Sequence, residues 1–129
     1  MDNFLRFIFG LFLLLTACGK SPNKDDILKR GQTLYAKYGC AVCHSLDGTE
    51  IYGPALNEIY LKKIKVMRQG QEKAVIADRD YLIKAIADPG FEKVADYQNK
   101  DMPKTYFSKE DVELLADYII AINQRKTKE

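Results

Sequence analysis

The chain has 129 residues, of which 20 are Lys or Arg and 18 are Asp or Glu, for a formal net charge of +2. That length fits one domain, and a charge so evenly balanced argues against a nucleic-acid partner. Three cysteines and a single histidine leave no second cysteine pair to complete a four-ligand structural zinc site.

The first element in chain order is a targeting segment. Phe7 to Leu15 is an almost unbroken apolar run, too short to span a bilayer as a stable helix but suited to the core of a signal peptide. Its basic flank is thin, with Arg6 and the amino terminus partly offset by Asp2. Leu15-Thr16-Ala17-Cys18, followed by Gly19, resembles the lipobox of bacterial lipoproteins. The resemblance implies removal of residues 1–17 and a diacylated Cys18 as the mature N-terminus. An ordinary cleaved signal and a short uncleaved anchor are the alternatives. Residues 18–24 then form the lipidated end and a polar tether. Its last six residues, Gly19 to Lys24, reach at most ~20 Å when extended, which would hold the domain close to its membrane.

Asp25 to Tyr38 reads as a helix. Asn23 is its expected N-cap, Asp25 and Asp26 sit in the first turn where the dipole favours acids, and Ile27, Leu28, Gly31, Leu34 and Tyr35 share one face. A glycine on that apolar face costs the helix ~1 kcal/mol relative to alanine, so a close approach by another helix is expected at Gly31. Gly39 ends the helix. Cys40-Ala41-Val42-Cys43-His44 follows, and it contains the chain's only histidine.

Two thiols three apart with an imidazole next to them is the attachment signal of a c-type haem. On a turn of helix, two intervening residues let both sulfurs reach the two vinyl groups of one porphyrin edge, and the adjacent imidazole is held under the ring. One covalent haem c is therefore expected, with Cys40 and Cys43 as its thioether links and His44 as an iron ligand. A redox dithiol or half of a zinc site is the competing reading of the pair. With Cys18 lipidated and the other two cysteines on haem, no thiol remains for a disulfide. Export agrees with this, because bacterial c-type haem is attached outside the cytoplasmic membrane.

Leu46 to Asn57 is loop-like, punctuated by Asp47-Gly48 and Gly53-Pro54. A carbonyl near His44 would orient its ring, and Pro54 in a rigid loop is a candidate. Glu58 to Ala77 is less legible. Ile64 and Val66, then Ala74 and Ile76, alternate around Gln69-Gly70 as in a β-hairpin, although a ragged helix fits as well. The nearby cluster of Lys62, Lys63, Lys65 and Arg68 reads as a solvated face. Asp78 to Asp88 is a helix capped by Asp78 and stopped by Pro89-Gly90. Phe91 to Tyr106 is a loop rich in aromatics that contains Met102-Pro103. Ser108 starts the last helix, with Asp111 at its third position and Phe107 placed to staple against Val112. Its buried stripe is Val112, Leu115, Ala116, Ile119 and Ile122. A charged, frayed tail is expected from Gln124, with 125–129 outside the domain.

Taken together these residues resemble a class I cytochrome c over Asp25 to about Asn123, within a domain of residues 25–124. Gly31-x-x-Leu34-Tyr35 with Cys40 to His44 matches that family's first helix and haem motif, and Gly53-Pro54-Ala55-Leu56 matches its proline loop. Tyr81-Leu82-x-x-Ala85-Ile86-x-Asp88-Pro89 followed by Tyr97 and Met102-Pro103 matches the approach to its methionine ligand. Leu115-Ala116-Asp117-Tyr118-Ile119 resembles its C-terminal helix. The resemblance implies an all-α fold of three to five helices around one haem; the possible short β-hairpin in 62–77 rests on the alternation alone, because Leu61 to Ala77 matches no motif of the family. The resemblance also implies that the Pro54 carbonyl accepts a hydrogen bond from His44, that Met102 is the second iron ligand (Met67 is the rival), and that Tyr118 lies near Gly31. The chain is similar to the cytochrome c domain of haem-copper oxidase subunit II, but it has too few Cys and His for that subunit's copper segment. The expected function is single-electron transfer by a monomeric, lipid-anchored carrier on the extracytoplasmic side. Its expected partner is membrane-bound, a terminal oxidase or reductase or a quinol-oxidising complex. A haem-based sensor or a zinc or thiol lipoprotein is the alternative.

Overall fold

A computed structural model describes residues 23–126. The expected signal segment, Cys18 and all but the end of the tether lie outside the described residues. Three helices surround one cavity, and a three-stranded sheet closes one side of it.

Helix α1, Lys24–Lys37, begins as its sequence dictates: Asn23 Oδ1 accepts from the Asp25 N–H at 3.4 Å. Leu28, Gly31 and Tyr35 are its buried residues, spaced three and four apart as a core-facing stripe requires. Gly39, at φ 69°, turns the chain out of the helix. Helix α2 spans Arg79–Ala87, with Asp78 Oδ1 accepting from the Tyr81 N–H at 2.8 Å. Helix α3 spans Lys109–Lys126, and its start is capped by Ser108 Oγ accepting from the Asp111 N–H at 3.1 Å. It runs two residues past the end expected for the domain, so the tail is partly helical.

The Asp111 carboxylate does not reach back to complete a capping box. It accepts the Tyr38 hydroxyl at 2.5 Å, and Phe107 packs edge-on against the Tyr38 ring, centroids 4.6 Å apart. The α3 stripe is also wider than expected. Val112, Leu115, Ala116 and Ile119 are buried, but so are Tyr118, Ala121 and Asn123, while Ile122 is only half-buried. The reason is that α3 faces both other helices. Arg79 donates to the Asp117 carboxylate at 2.7 and 3.2 Å, pinning α2 against it, and α1 crosses it at Gly31.

That crossing is tight. A Cβ added to Gly31 would lie 2.5 Å from Tyr118 Cγ and 2.8 Å from Cδ2, so the expected close approach is made by Tyr118 itself. Asn123 closes the far end: its Nδ2 donates to the Leu56 carbonyl at 2.8 Å and its Oδ1 accepts the Tyr60 N–H at 3.0 Å.

The hairpin reading of 62–77 holds. Strand β1 is Lys63–Arg68 and β2 is Gln71–Ile76. The turn places both Gln69 and Gly70 at positive φ, 51° and 76°, as a tight two-residue hairpin demands. The expected grouping of side chains is corrected, however. Ile64 pairs with Val75 and Lys65 with Ala74. Val75 therefore shares the face of Ile64 and Val66, whereas Ala74 and Ile76 point outwards with Lys63 and Lys65 and are exposed. The loop 91–106 also departs from expectation. Lys93–Val94 forms a third strand, β3, paired with β1, and Ala95–Tyr97 forms a single 3₁₀ turn.

Gly31→Ala should destabilise the holoprotein by about 1–3 kcal/mol, the usual cost of overpacking. The expected fall in thermal midpoint is about 4–8 °C per kcal/mol, and adding Tyr118→Ala should not restore it, because alanine keeps the Cβ that lies nearest to position 31. An unchanged midpoint in the single variant would mean that the crossing relaxes freely.

Candidate functional site

The helices flank a cleft that holds about 1040 Å³ of space, counted out into the solvent at its open side. Cys40, Cys43, His44 and Pro54 line it together. Helix α2 contributes Tyr81, Leu82, Ala85 and Ile86, and helix α3 contributes Leu115 and Ile119. Met102 lines it from the loop before α3.

The histidine end follows directly from the end of α1. After Gly39 the chain makes a 3₁₀ turn over Cys40–Val42, and the His44 N–H donates to the Cys40 carbonyl at 2.9 Å. Both thiols and the imidazole are thereby set on one short turn. The loop 53–56 then lies back along 43–45, with the Gly53 N–H donating to Cys43 at 2.7 Å and the Leu56 N–H to Ser45 at 2.9 Å. This brings the Pro54 carbonyl to 2.8 Å from His44 Nδ1. With Nδ1 as the donor, Nε2 keeps its lone pair free for a metal.

Two contacts here were not read from the sequence. Gly53 leaves room for the ring, since a Cβ there would lie 2.6 Å from His44 Cε1 and 2.9 Å from Nδ1. The Gly-Pro dipeptide was visible as a loop signal, but not this contact. Tyr35, seen only as a core residue, donates its hydroxyl to the His44 carbonyl at 2.5 Å. Burial, with smaller contributions from Cys40 and Tyr118, raises the Tyr35 hydroxyl well above its ordinary value, so it remains a donor throughout the physiological range.

The loop carrying Met102 is tied across the cavity mouth. The Asp101 N–H points at the Tyr52 hydroxyl at 3.4 Å, Asp101 is ion-paired with Lys93, and Lys100 lies over both the Tyr52 and Tyr97 rings. Met67, the rival ligand, is in β1 opposite Glu72 and Lys93 and is not part of the cavity lining.

These residues fit a haem. The lining is mainly apolar and includes both thiols, one imidazole oriented by a carbonyl and, from a separate loop, one thioether. The competing readings fit less well. Among the described residues no group of three or more His, Cys, Asp or Glu is placed to hold a metal ion. Burial raises the Cys40 thiol; its own backbone offsets this in part, and the neighbouring Cys43 adds to it. A reactive dithiol needs the opposite, a lowered thiol.

The family model described as Cytochrome c matches residues 28–122. No curated protein matches the chain in a sequence search.

Gly53→Ala should displace the His44 ring and break its bond to Pro54. The expected result is a holoprotein with a disturbed haem absorption spectrum and reduced haem content per chain, measured by absorbance and by haem staining of the denatured protein. Wild-type spectrum and content would show that the loop can move aside at no cost.

Proposed function

Because the chain belongs to the cytochrome c family, as a class I c-type cytochrome carrying covalently bound haem c for electron transfer, we propose that it is a membrane-tethered, one-haem carrier with His/Met axial ligation. In this reading Cys40 and Cys43 form the thioethers, and His44 and Met102 are the iron ligands. The observation that carries it is the 2.8 Å contact between His44 Nδ1 and the Pro54 carbonyl, within a cavity also lined by Cys40, Cys43 and Met102.

When bound, the haem supplies a one-electron iron couple, and a methionine ligand raises its potential relative to harder donors. The chain's own residues do the rest. Pro54 and Gly53 hold the imidazole in one orientation, Tyr35 holds the backbone beneath it, and the apolar walls from α2 and α3 exclude water. If His44 and Met102 both held the iron, no open position would be left for a small-molecule substrate, so the reading is that of a carrier. The haem-attachment turn reaches the surface, where Val42 is 76% exposed, and this offers a short path to a docked partner.

The tether belongs to the same reading. Its support is the lipobox resemblance at Cys18, upstream of a haem motif that must be matured outside the cytoplasm. Among the described residues no helix is long and apolar enough to cross a membrane; the attachment proposed is a lipid on Cys18. A carrier confined to a thin layer above the membrane meets its partner through effective concentration rather than through strong docking charge. That suits a net charge of only +2. The partner class proposed is a membrane-bound terminal oxidase or reductase, or the quinol-oxidising complex upstream.

Met102→Ala should abolish the sulfur-to-iron charge-transfer absorption of the oxidised protein and open the reduced protein to carbon monoxide. Retention of that absorption would point to another sulfur ligand such as Met67, and carbon monoxide binding by the reduced wild type would point towards a sensor. For the anchor, Cys18→Ala with an ordinary cleavable signal should yield a soluble domain of unchanged spectrum that supports much less respiratory electron flow in cells. Full flow at equal expression would show that tethering does not select the partner.

A further inference from the structure

The hairpin formed by β1 and β2 matches none of the motifs above, yet it sets a charged side chain, Arg68, against one that lines the cavity, Glu92. Strand β3 pairs with β1 in the register Val66–Val94 and Met67–Lys93, so the next step along the ladder sets Arg68 opposite Glu92. Alternate residues share a face of a sheet, which puts Val66, Arg68, Val94 and Glu92 on one side. Val66 on that side is fully buried. Glu92 is only 8% exposed and lines the cavity beside Val94.

The Glu92 carboxylate is ion-paired with the Arg68 guanidinium. Arg68 is not part of the lining. It stands behind the carboxylate, its guanidinium carbon 5.1 Å from the centre of the Phe91 ring, and its buried Nε has no hydrogen-bond partner. The other charged and titratable groups near Glu92 are mostly engaged elsewhere. From α2, Lys84 lies over the Phe91 ring and Asp88 pairs with Lys104, while Tyr81 borders the same small pocket. On β3, Lys93 pairs with Asp101. Tyr97 and Lys100 face the cavity further along, as would the two carboxylates of a bound haem.

We propose that the Arg68–Glu92 pair sets the reduction potential of the bound haem: the carboxylate presents negative charge at the cavity wall, and Arg68 keeps it ionised. The reading rests on haem c filling this cavity. Its physical basis is that Coulomb energy falls with distance and is strong in a poorly solvated interior. The nearer charge therefore dominates at the iron, and the nearer charge is the carboxylate. It stabilises the oxidised iron, which carries one more positive charge, and so holds the potential down. A buried carboxylate without its arginine would instead take up a proton, and electron uptake at the haem would become coupled to proton uptake at Glu92.

The test is a potentiometric titration of the holoprotein, followed by haem absorbance from about pH 6 to about pH 9, where carboxylates displaced by burial titrate. Haem content per chain is measured on the same samples. E92Q should move the equilibrium about tenfold towards the reduced form at fixed ambient potential, an upward shift of about 59 mV for one electron. R68Q should raise the potential at low pH and make it fall more steeply with pH than in wild type. R68K should restore most of the wild-type profile, which a purely structural role for the arginine would not require. If E92Q fails to load haem, R68Q and R68K decide. Haem-loaded E92Q within about a factor of two of wild type, or R68Q with the wild-type potential at every pH, overturns the proposal. A wild-type protein without haem would overturn the haem reading itself.

Discussion

Everything at the haem end depends on how closely α1 can approach α3. Gly31 lets the Tyr118 side chain touch the helix backbone, and the same face of α1 then presents Tyr35 one turn on and Tyr38 nearly one turn beyond that. Tyr35 reaches the His44 carbonyl and Tyr38 reaches Asp111 at the start of α3. A larger residue at Gly31 would push the helices apart and move both hydroxyls from their partners. The attachment turn begins three residues after α1 ends, so its position is inherited from this crossing. With the cavity between them, α1 and α2 each pack on α3 and hardly touch one another. The Gly31 crossing and the Arg79–Asp117 bridge are therefore unusually important for holding the frame until the cofactor fills it.

What could be read from the sequence was what short-range chemistry determines. The caps at Asn23, Asp78 and Ser108, the stop at Gly39, the close approach at Gly31 and the grouping of Cys40, Cys43 and His44 each depend on residues a few positions apart, or on a glycine with no other reason to be there. Pro54 was a candidate only, because a rigid loop alone does not single it out, and its role came from the family resemblance. The wrong face assigned to β2 has an equally local cause. Alternation was counted through the turn from Val66 to Ala74, but the cross-strand register pairs Ile64 with Val75, and only the paired geometry decides which residues share a side.

The remainder was hidden because it depends on contacts between distant parts of the chain. Two residues, Lys93 and Val94, carry no strand signal of their own and become a strand only by pairing with β1. Asn123 looked like the end of a helix, yet it satisfies the backbone of the loop 56–60. Asp111 looked like half of a capping box, but the Tyr38 hydroxyl is a competing donor from another helix. Asp111 took a distant donor in place of a local one, and Asn123 keeps a local bond to the Ile119 carbonyl while adding two distant ones; only the folded chain reveals such partners.

The sheet is the element whose presence the frame does not explain. The helices and the two ligand loops meet without it, and its outward face carries mostly exposed lysines and small apolar residues. On its inward face Val66 and Val94 make an apolar pair, and a second such pair would add to the core. Arg68 and Glu92 occupy that next inward position instead. A buried ion pair is a poor source of stability, since desolvating the two charges offsets most of their attraction and apolar replacements of similar volume are often neutral or better. Its value must then lie in what the charges do to their surroundings. With one charge lining the cavity and the other behind it, the pair presents the bound haem with a directed field, and the hairpin is the structure that holds the second charge in place.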